Sequence, residues 1–400
     1  MSDNKNKLNI LYHHRTQGRG AEGVHITSIV KALEAMGHSV TIVSPAGVDP
    51  MAEAGNAPVD KSEVKTSGVK SLWKFVSKNL PNFLFEFAEI GYNLVAMKAL
   101  EKELKSGNYD LIYERYAFFM VAGAIKAKKY GIPLILEANE VSGIKDRARK
   151  QTFKRLCDKF ERFLFKRCHS IHTVSSYLKN MIVKQGVTAE NVLVTPNAIE
   201  PEKFKGSKEP GELVEKYGLN NKTVIGFAGW FDDWDRLDLL VEAFADLEKR
   251  YSDLVVLLIG DGAVLEDVRE RAKTLGLEDK IILTGAVPRA EVQKYISLLD
   301  IAVITHSNEF GSPVVMFEFM GLKIPVVAPR LMPITDVLTH DETGLIFDVL
   351  DMNGMKDCIS LLLDDSEKRK AIAESAYSKL MQEHTWESNA KDIVNPFINH

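Results

Sequence analysis

A serine and a glutamate six residues apart, Ser312 and Glu318, could together bind a phosphate and a neighbouring pair of sugar hydroxyls. The apolar run at 301–304 predicts a buried strand, and Gly311 and Pro313 flank Ser312 in a turn that leads into a helix. Backbone N–H groups at a helix start stabilise an anion. Glu318, about a turn and a half further along, can accept hydrogen bonds from a pair of sugar hydroxyls.

The same stretch has two interpretations. Strand, loop, helix and second strand over 301–329 fit a plain βαβ unit with a solvated helix face, and short motifs often match by chance. However, Gly-Ser-Pro at 311–313 followed by Phe-Glu-Phe-Met at 317–320 resembles the C-terminal signature of the family 4 retaining glycosyltransferases of GT-B type. The resemblance implies that Ser312, with Gly311, Pro313 and Val314, holds the donor diphosphate, and that Glu318 binds the nucleotide ribose. It also implies that Glu309 lies beside the donor sugar, although Glu309 is one position out of the usual register.

The first predicted strand, 8–12, is followed by glycines at 18, 20 and 23. Glycine permits positive φ and close backbone approach, as a phosphate or sugar cradle needs. The spacing of these three glycines matches the Gly-x-Gly-x-x-Gly motif of dinucleotide-binding proteins. However, the next predicted strand ends without an acidic residue, which disfavours NAD binding. The resemblance implies that the loop from Gly20 through Gly23 to His25 lies under the donor diphosphate. His25 either bonds a substrate or caps and fills the first helical turn.

Two further segments end predicted strands at the edge where α/β folds bind ligands. Glu114 and Arg115 are acceptor-side candidates, or they form an ion pair with each other of little energetic weight. Many members of the family carry a histidine that contacts the donor sugar at about position 139. The resemblance therefore implies that Asn139 and Glu140 supply hydrogen bonds there instead, and that Gly285 to Val287 hold the nucleotide base through main-chain groups.

One segment departs from the family pattern. Active members usually carry an arginine just after the glycine equivalent to Gly229 and a lysine near position 235, and these cations neutralise the diphosphate. This chain has Trp230 and Asp235 instead. A carboxylate facing a dianion costs free energy unless a cation intervenes. The substitutes we consider are Arg236, Arg19, Arg289 and Lys323.

Length and composition predict a two-domain globular protein. A chain of 400 residues exceeds what one hydrophobic core usually serves. The 51 Lys and Arg residues nearly balance the 55 Asp and Glu residues, so no strong field would attract nucleic acid. The three scattered cysteines, Cys157, Cys168 and Cys358, favour a reducing cytosol, and no apolar run has the length of a membrane span. We expect no metal, because no carboxylate pair with aspartate-x-aspartate spacing precedes a predicted sugar-binding strand. We also expect no cofactor, with a nucleotide diphosphate sugar as the donor substrate.

The resemblance implies an α/β GT-B fold of two Rossmann-like parallel-sheet domains that face each other across a cleft. We predict an acceptor-side domain over 1–200, a donor domain over 201–375, and a C-terminal helix over 376–400 that crosses back to the first domain. Apolar patterns predict helices over 237–251 and 361–380, and two helices over 72–100 that pack on the sheet or line an acceptor groove. The basic stretch 145–167 suits an anionic membrane surface, a phosphate-bearing acceptor or a solvated helix face.

These observations predict a retaining hexosyltransferase. It would move a hexose from a nucleotide diphosphate sugar to a saccharide or lipid-linked acceptor in synthesis of cell-surface polysaccharide or glycoconjugate. We expect it in the cytoplasm, with peripheral contact at the inner face of the plasma membrane as an option. Two alternatives remain: a catalytically weak GT-B subunit that binds a nucleotide sugar or a partner glycosyltransferase, and a sugar-nucleotide epimerase.

Overall fold

The computed structural model describes residues 7–16, 21–45, 48–53, 82–144, 151–204 and 211–398. The chain forms two compact units, Met1–Thr195 with Asn389–His400, and Pro196–Ser388. Each unit is built on one six-stranded sheet with helices around it. The predicted two-domain α/β architecture is therefore confirmed.

The sheet of the first unit is parallel throughout. Its strands are β1 (Asn9–His13), β2 (Ser39–Val43), β3 (Leu111–Arg115), β4 (Leu134–Ala138), β5 (Ser170–Thr173) and β6 (Val192–Val194), in the order β2-β1-β3-β4-β5-β6. Strand β4 is buried along its whole length, as expected for a strand covered on both faces. Because all strands point the same way, their carboxyl ends meet at one edge of the sheet.

Helices connect these strands. They are α1 (Ala21–Ala35), α2 (Pro50–Glu53), α3 (Asn82–Ser106), α4 (Ala122–Tyr130), α5 (Lys154–Phe165) and α6 (Ser176–Lys184). Parallel neighbours require such crossovers, since a tight turn cannot return the chain to the same end of the sheet.

The sheet of the second unit is also parallel. Its strands are β7 (Thr223–Phe231), β8 (Leu254–Gly262), β9 (Ile281–Leu283), β10 (Ile301–Val303), β11 (Val326–Pro329) and β12 (Leu345–Phe347), in the order β12-β11-β10-β7-β8-β9. Three glycines pack tightly against backbone in β7 and β8. A β-carbon added to Gly226 would lie 2.0 Å from a backbone oxygen of another residue, and one added to Gly260 would lie 1.9 Å from such an oxygen. One added to Gly262 would lie 2.3 Å from backbone atoms of another residue.

The helices of the second part of the chain belong to the second unit, except the last of them, which from Asn389 onward belongs to the first unit. They are α7 (Gly211–Lys216), α8 (Leu237–Leu247), α9 (Leu265–Thr274), α10 (Val292–Ile296), α11 (Val314–Gly321), α12 (Met332–Thr335), α13 (Met352–Asp364), α14 (Ser366–Glu383) and α15 (Trp386–Ile398). Among the helices that the structure describes, none is both long and apolar enough to cross a membrane.

Several helix predictions were wrong in detail. The helix predicted to begin near Ser312 begins at Val314, because Pro313 has φ −67° and ψ 110° and so remains extended. Residues 361–380 are helical as predicted, but they belong to two helices separated at Asp365, whose carboxylate caps the second helix by accepting from the Lys368 N–H over 2.9 Å. Helix α8 ends at Leu247, four residues before the predicted end at Tyr251.

The prediction of two helices over 72–100 is tested only from Asn82 onward, where the structure has one helix. Helix α3 is continuous from Asn82 through Gly91 to Ser106, while 72–81 lie outside the described residues. A glycine in a helix interior costs only about 1 kcal/mol relative to alanine, which tertiary contacts can offset. The basic helix predicted over 145–167 is described only from Lys154, since 145–150 also lie outside the described residues.

Candidate active site

The turn before α11 holds Ser312 in a network of hydrogen bonds. The Asn308 side-chain oxygen accepts from the Gly311 N–H over 2.6 Å and closes the loop after β10. Buried Ser312 accepts at Oγ from the Asn197 N–H over 3.2 Å, and its carbonyl accepts from Asn197 Nδ2 over 2.7 Å. A serine hydroxyl that accepts one bond can still donate its own proton. Ser312 and the start of α11 therefore form a preorganised set of donors at the carboxyl edge of the sheet.

Glu318 lies on α11 and is paired with Arg289. Arg289 Nη2 donates to Glu318 Oε1 over 2.6 Å; the Glu318 side chain is 8% exposed and the Arg289 side chain 53% exposed. Burial raises the pKa of Glu318, although the nearby Arg289 charge opposes that shift. A buried carboxylate that is paired with a more exposed cation can accept hydrogen bonds from ligand hydroxyls in place of that cation.

Four cations were predicted as substitutes for the family's arginine and lysine, and their surroundings differ. Arg236 donates two bonds to Asp238, over 2.9 and 2.8 Å, so its charge is already matched. Lys323, just past the opposite end of α11, donates to Glu374 over 2.9 Å. Arg19 lies outside the described residues. Arg289 is the member of this set that contacts Glu318.

The departure at Trp230 and Asp235 has a structural cause. Strand β7 continues through Trp230, which is 51% exposed, and a short 3-10 turn at Asp233–Asp235 follows. Asp235 is buried, and its carboxylate accepts from the Asp232 N–H over 2.9 Å in a capping box. Burial raises the pKa of Asp235 to about 7, against the bond from Asp232. Position 235 therefore serves the local fold in this chain.

The remaining predicted residues of the second unit lie in loops. Gly285 has φ +69°, the left-handed backbone conformation that glycine permits. It also forms an isolated antiparallel β-bridge with Gly260. Val287 is partly buried and packs on the core. Glu309 is exposed in the loop between β10 and α11. Across the described residues we find no group of three or more His, Cys, Asp and Glu side chains that could hold a metal ion.

In the first unit, Glu114 and Arg115 do not pair with each other. Successive residues of a strand point to opposite faces, so each meets a different partner. Glu114 accepts from His13 Nδ1 over 2.6 Å, and both side chains are fully buried. Gly123 makes room for this pair, since a β-carbon there would lie 2.2 Å from Glu114 Oε2.

Arg115 instead meets Glu137, a residue that was not predicted to belong to the site. The parallel register sets Arg115 opposite Glu137, and Arg115 Nη1 donates to Glu137 Oε1. Glu137 Oε2 also accepts from the hydroxyls of Tyr12 and Tyr113 over 3.2 and 3.0 Å. Burial raises the pKa of Glu137, but Arg115 and the surrounding donors outweigh it and hold the pKa at about 2. The register of β3 and β4 is the signal that would have identified this pair.

His25 and Asn139 complete the same cluster. His25 Nδ1 lies 3.3 Å from Arg115 Nη1 and 3.4 Å from Glu137 Oε1, and burial lowers the pKa of His25 to about 4. The ring is therefore neutral near pH 7. Asn139 Nδ2 donates to Glu137 Oε1 over 2.5 Å, and Glu140 follows half-buried in the turn after β4.

The predicted loop from Gly20 to His25 is mostly helical in the structure. Helix α1 begins at Ala21, so Gly23 and His25 lie in its first turns, and the Gly23 carbonyl accepts from Thr27 Oγ1 over 2.9 Å. Gly20 lies outside the described residues.

Comparison with known proteins gives the family. Residues 22–203 match the model described as Glycosyltransferase Family 4, and residues 211–379 match the model described as Glycosyl transferases group 1. Together these two models match most of the chain. The chain belongs to the family 4 glycosyltransferases of GT-B type.

Curated relatives in this family are distant. The chain is 28% identical over 166 residues to an alpha-D-kanosaminyltransferase of Streptomyces kanamyceticus, covering 41% of this chain and 42% of that protein. It is 30% identical over 217 residues to a D-inositol 3-phosphate glycosyltransferase of Corynebacterium urealyticum, covering 52% and 50%. The chain thus spans about half the length of these two relatives.

A solved structure shares the GT-B fold over nearly the whole chain. The Anabaena protein HepE, solved in complex with UDP, superposes with a TM-score of 0.70 at 17% identity, covering 98% of this chain and 100% of that one. At this identity the likeness establishes the fold alone.

Proposed function

We propose that this protein is a retaining hexosyltransferase that uses a nucleotide diphosphate sugar. The observation that carries the proposal is the arrangement on α11, where buried Glu318 follows the Ser312 turn on one helix at the carboxyl edge of a parallel sheet. A helix start stabilises a diphosphate and a carboxylate binds ribose hydroxyls. The UDP in the related HepE structure supports a nucleotide ligand of this type.

In the proposed reaction the bond between the sugar's anomeric carbon and the diphosphate oxygen breaks. The acceptor hydroxyl attacks the same face, a new glycosidic bond forms, and the hydroxyl proton passes to the departing phosphate. Negative charge therefore grows on the diphosphate. N–H groups at the start of α11 and the guanidinium of Arg289 stabilise that charge, which lowers the barrier because the interaction strengthens in the transition state. The acceptor would be a saccharide or a lipid-linked saccharide.

The test compares the wild type with Glu318→Ala in transfer and donor hydrolysis, using a panel of UDP-, GDP- and dTDP-sugars. Loss of hydrogen bonds to a charged group costs about 1.5–3 kcal/mol each, so donor KM should rise about 10- to 150-fold. The anomeric configuration of the product, read by NMR, tests retention. Unchanged kinetics in Glu318→Ala would contradict the ribose assignment, and an inverted product would contradict retention.

A second function has an observation in its favour. Trp230 and Asp235 occupy the positions where active members carry cations, and Arg236 is bound to Asp238. A GT-B subunit that binds a nucleotide sugar or a partner glycosyltransferase, with weak catalysis, would have this arrangement. Tight binding of nucleotide diphosphate without turnover of any donor would favour this second function over the first.

A further inference from the structure

Over its first half, helix α3 buries polar side chains and exposes apolar ones. The side chains that it buries include Glu86, Glu89 and Asn93. The side chains that it exposes are between 41% and 65% accessible and include Phe83, Leu84, Phe87, Leu94 and Val95. Helices on globular proteins normally have the reverse arrangement, with the apolar stripe facing the core. An exposed apolar stripe of this kind marks an interaction site.

The buried polar residues fix this orientation. Glu86 accepts from the backbone N–H groups of Thr152 and Phe153 over 2.5 and 2.8 Å, and so caps the start of α5. Glu89 accepts from Arg15 Nη2 over 2.7 Å. If α3 were rotated to bury its apolar stripe, Glu86 and Glu89 would lose these hydrogen bonds. The groups that donate to them would then be unsatisfied, and each buried unsatisfied group costs free energy.

Asn93 adds two more bonds on the same buried face. Its side chain donates to the Phe119 carbonyl and accepts from the Val121 N–H, each over 2.8 Å. The outward direction of Leu94 and Val95 is therefore specified by the fold.

The exposed stripe continues into lysines. Lys98, Lys102 and Lys105 follow Leu94 at spacings of three or four residues, which keeps them on one face of the helix. They line an open groove of about 660 Å³ with Leu94, Met97, Glu101 and Lys126. The charge of Glu101 is already matched, because it accepts from Lys126, from Lys129 over 2.7 Å and from Tyr130 over 2.9 Å.

Helix α5 extends the same surface. The Phe153 ring packs on Phe87 with centroids 5.3 Å apart, and Leu156 is exposed beside it in sequence. The exposed side chains of α5 include the basic residues Arg155, Lys159 and Arg162, and exposed Lys166 follows directly after its end. Its acidic residues are Asp158, paired with Lys154 over 3.1 Å, and buried Glu161.

We propose that the exposed faces of α3 and α5 dock the protein on an anionic lipid surface. Phe83, Phe87, Leu94 and Val95 would lie at the headgroup and acyl boundary, and the lysines would contact lipid phosphates. An apolar stripe bordered by cations fits a surface that is apolar beneath and negative at its boundary. A second copy of the chain would instead bring its own lysines to this surface.

The test is co-sedimentation of the full chain with phosphatidylcholine vesicles that contain or lack phosphatidylglycerol. We expect the wild type to sediment preferentially with the anionic vesicles, and less so at high salt. Leu94→Ser with Val95→Ser should weaken binding at least about tenfold, since the burial of each side chain is lost. Lys98→Gln, Lys102→Gln and Lys105→Gln together should abolish the preference for anionic vesicles. Leu361→Ser, at an exposed leucine of α13, is the matched control and should bind as the wild type does.

Three results would overturn the proposal. The first is a wild type without preference for anionic vesicles, and the second is undiminished binding by the Leu94 and Val95 variant. The third is a change in Tm or in molecular mass in that variant, because it would show that protein rather than lipid covers the stripe. If another segment of the chain, such as residues 54–81, or a second copy covered the stripe, the same variant would lower Tm or change the mass measured by light scattering. Docking on lipid leaves both unchanged.

Discussion

Replacing Arg289 with alanine should weaken binding of a nucleoside diphosphate much more than binding of the nucleoside alone. In the structure Arg289 Nη2 donates to Glu318 Oε1 over 2.6 Å. On binding, ribose hydroxyls would take the place of the guanidinium at Glu318, and the guanidinium, which is half exposed, would turn to the diphosphate. The ligand thus supplies a partner to each member of the pair.

The size of the effect follows from these contacts. A charge-assisted bond between arginine and phosphate contributes about 1.5–3 kcal/mol, so Kd for UDP or GDP should rise about 10- to 150-fold. The lost ion pair with Glu318 offsets little of this, because Arg289 is well exposed and water screens the pair. Kd for uridine or guanosine should stay unchanged or fall slightly, since Glu318 becomes available to the ribose.

Isothermal titration calorimetry with both ligands measures the two effects. Arg271→Ala is the matched control, because Arg271 is similarly exposed and donates to Glu242 over 2.7 Å. Equal losses for nucleoside and nucleoside diphosphate would mean that Arg289 only positions Glu318. Unchanged binding of both ligands would refute the reasoning. If the wild type bound no nucleotide diphosphate, the proposed function itself would fail.

Three further predictions concern stability. Asp235 has a pKa near 7 when folded, above its value in the unfolded chain, so the native state should lose stability as pH rises from about 4 to 7; Asp235→Asn should remove this loss, seen as Tm measured against pH. Glu137 has a pKa near 2 when folded, below its unfolded value, so its contribution should be present above about pH 4 and disappear as pH falls toward 2. Glu137→Gln should cost about 3–5 kcal/mol at pH 7 in denaturant unfolding and much less at pH 3, and equal costs at both would contradict the pairing with Arg115. Gly123→Ala should cost about 1–3 kcal/mol because its β-carbon meets Glu114, whereas Gly91→Ala, with nothing within 4 Å, should stabilise by about 0.5–1 kcal/mol; the same denaturant series checks both signs.

The fold was predictable because its strands are short apolar runs bounded by glycine and polar turns. Strands such as β4 and β10 are buried in full, so their local composition identifies them. Helix α3 was not predictable in the same way. Its apolar and polar residues are inverted over the first half, and Gly91 resembles a break when read locally.

Proximity between residues of the candidate site was predictable only where they are near in sequence. Ser312 and Glu318 lie on one turn and one helix, so their spacing places them together. Arg115 and Glu137 meet through the pairing of β3 with β4, and Asn197 meets Ser312 across 115 residues. Such contacts depend on sheet order and register, which no local pattern records.

The close backbone packing at Gly226, Gly260 and Gly262 limits which positions of the second sheet can change. No side chain fits at these positions without moving a neighbouring strand, so saturation libraries there should yield mostly misfolded protein. Trp230, exposed near the end of β7, and Glu309, exposed in the loop at 305–311, are positions where a change of side chain meets less resistance. Libraries that aim to alter the candidate site are therefore best concentrated around those two positions, with the glycines left fixed.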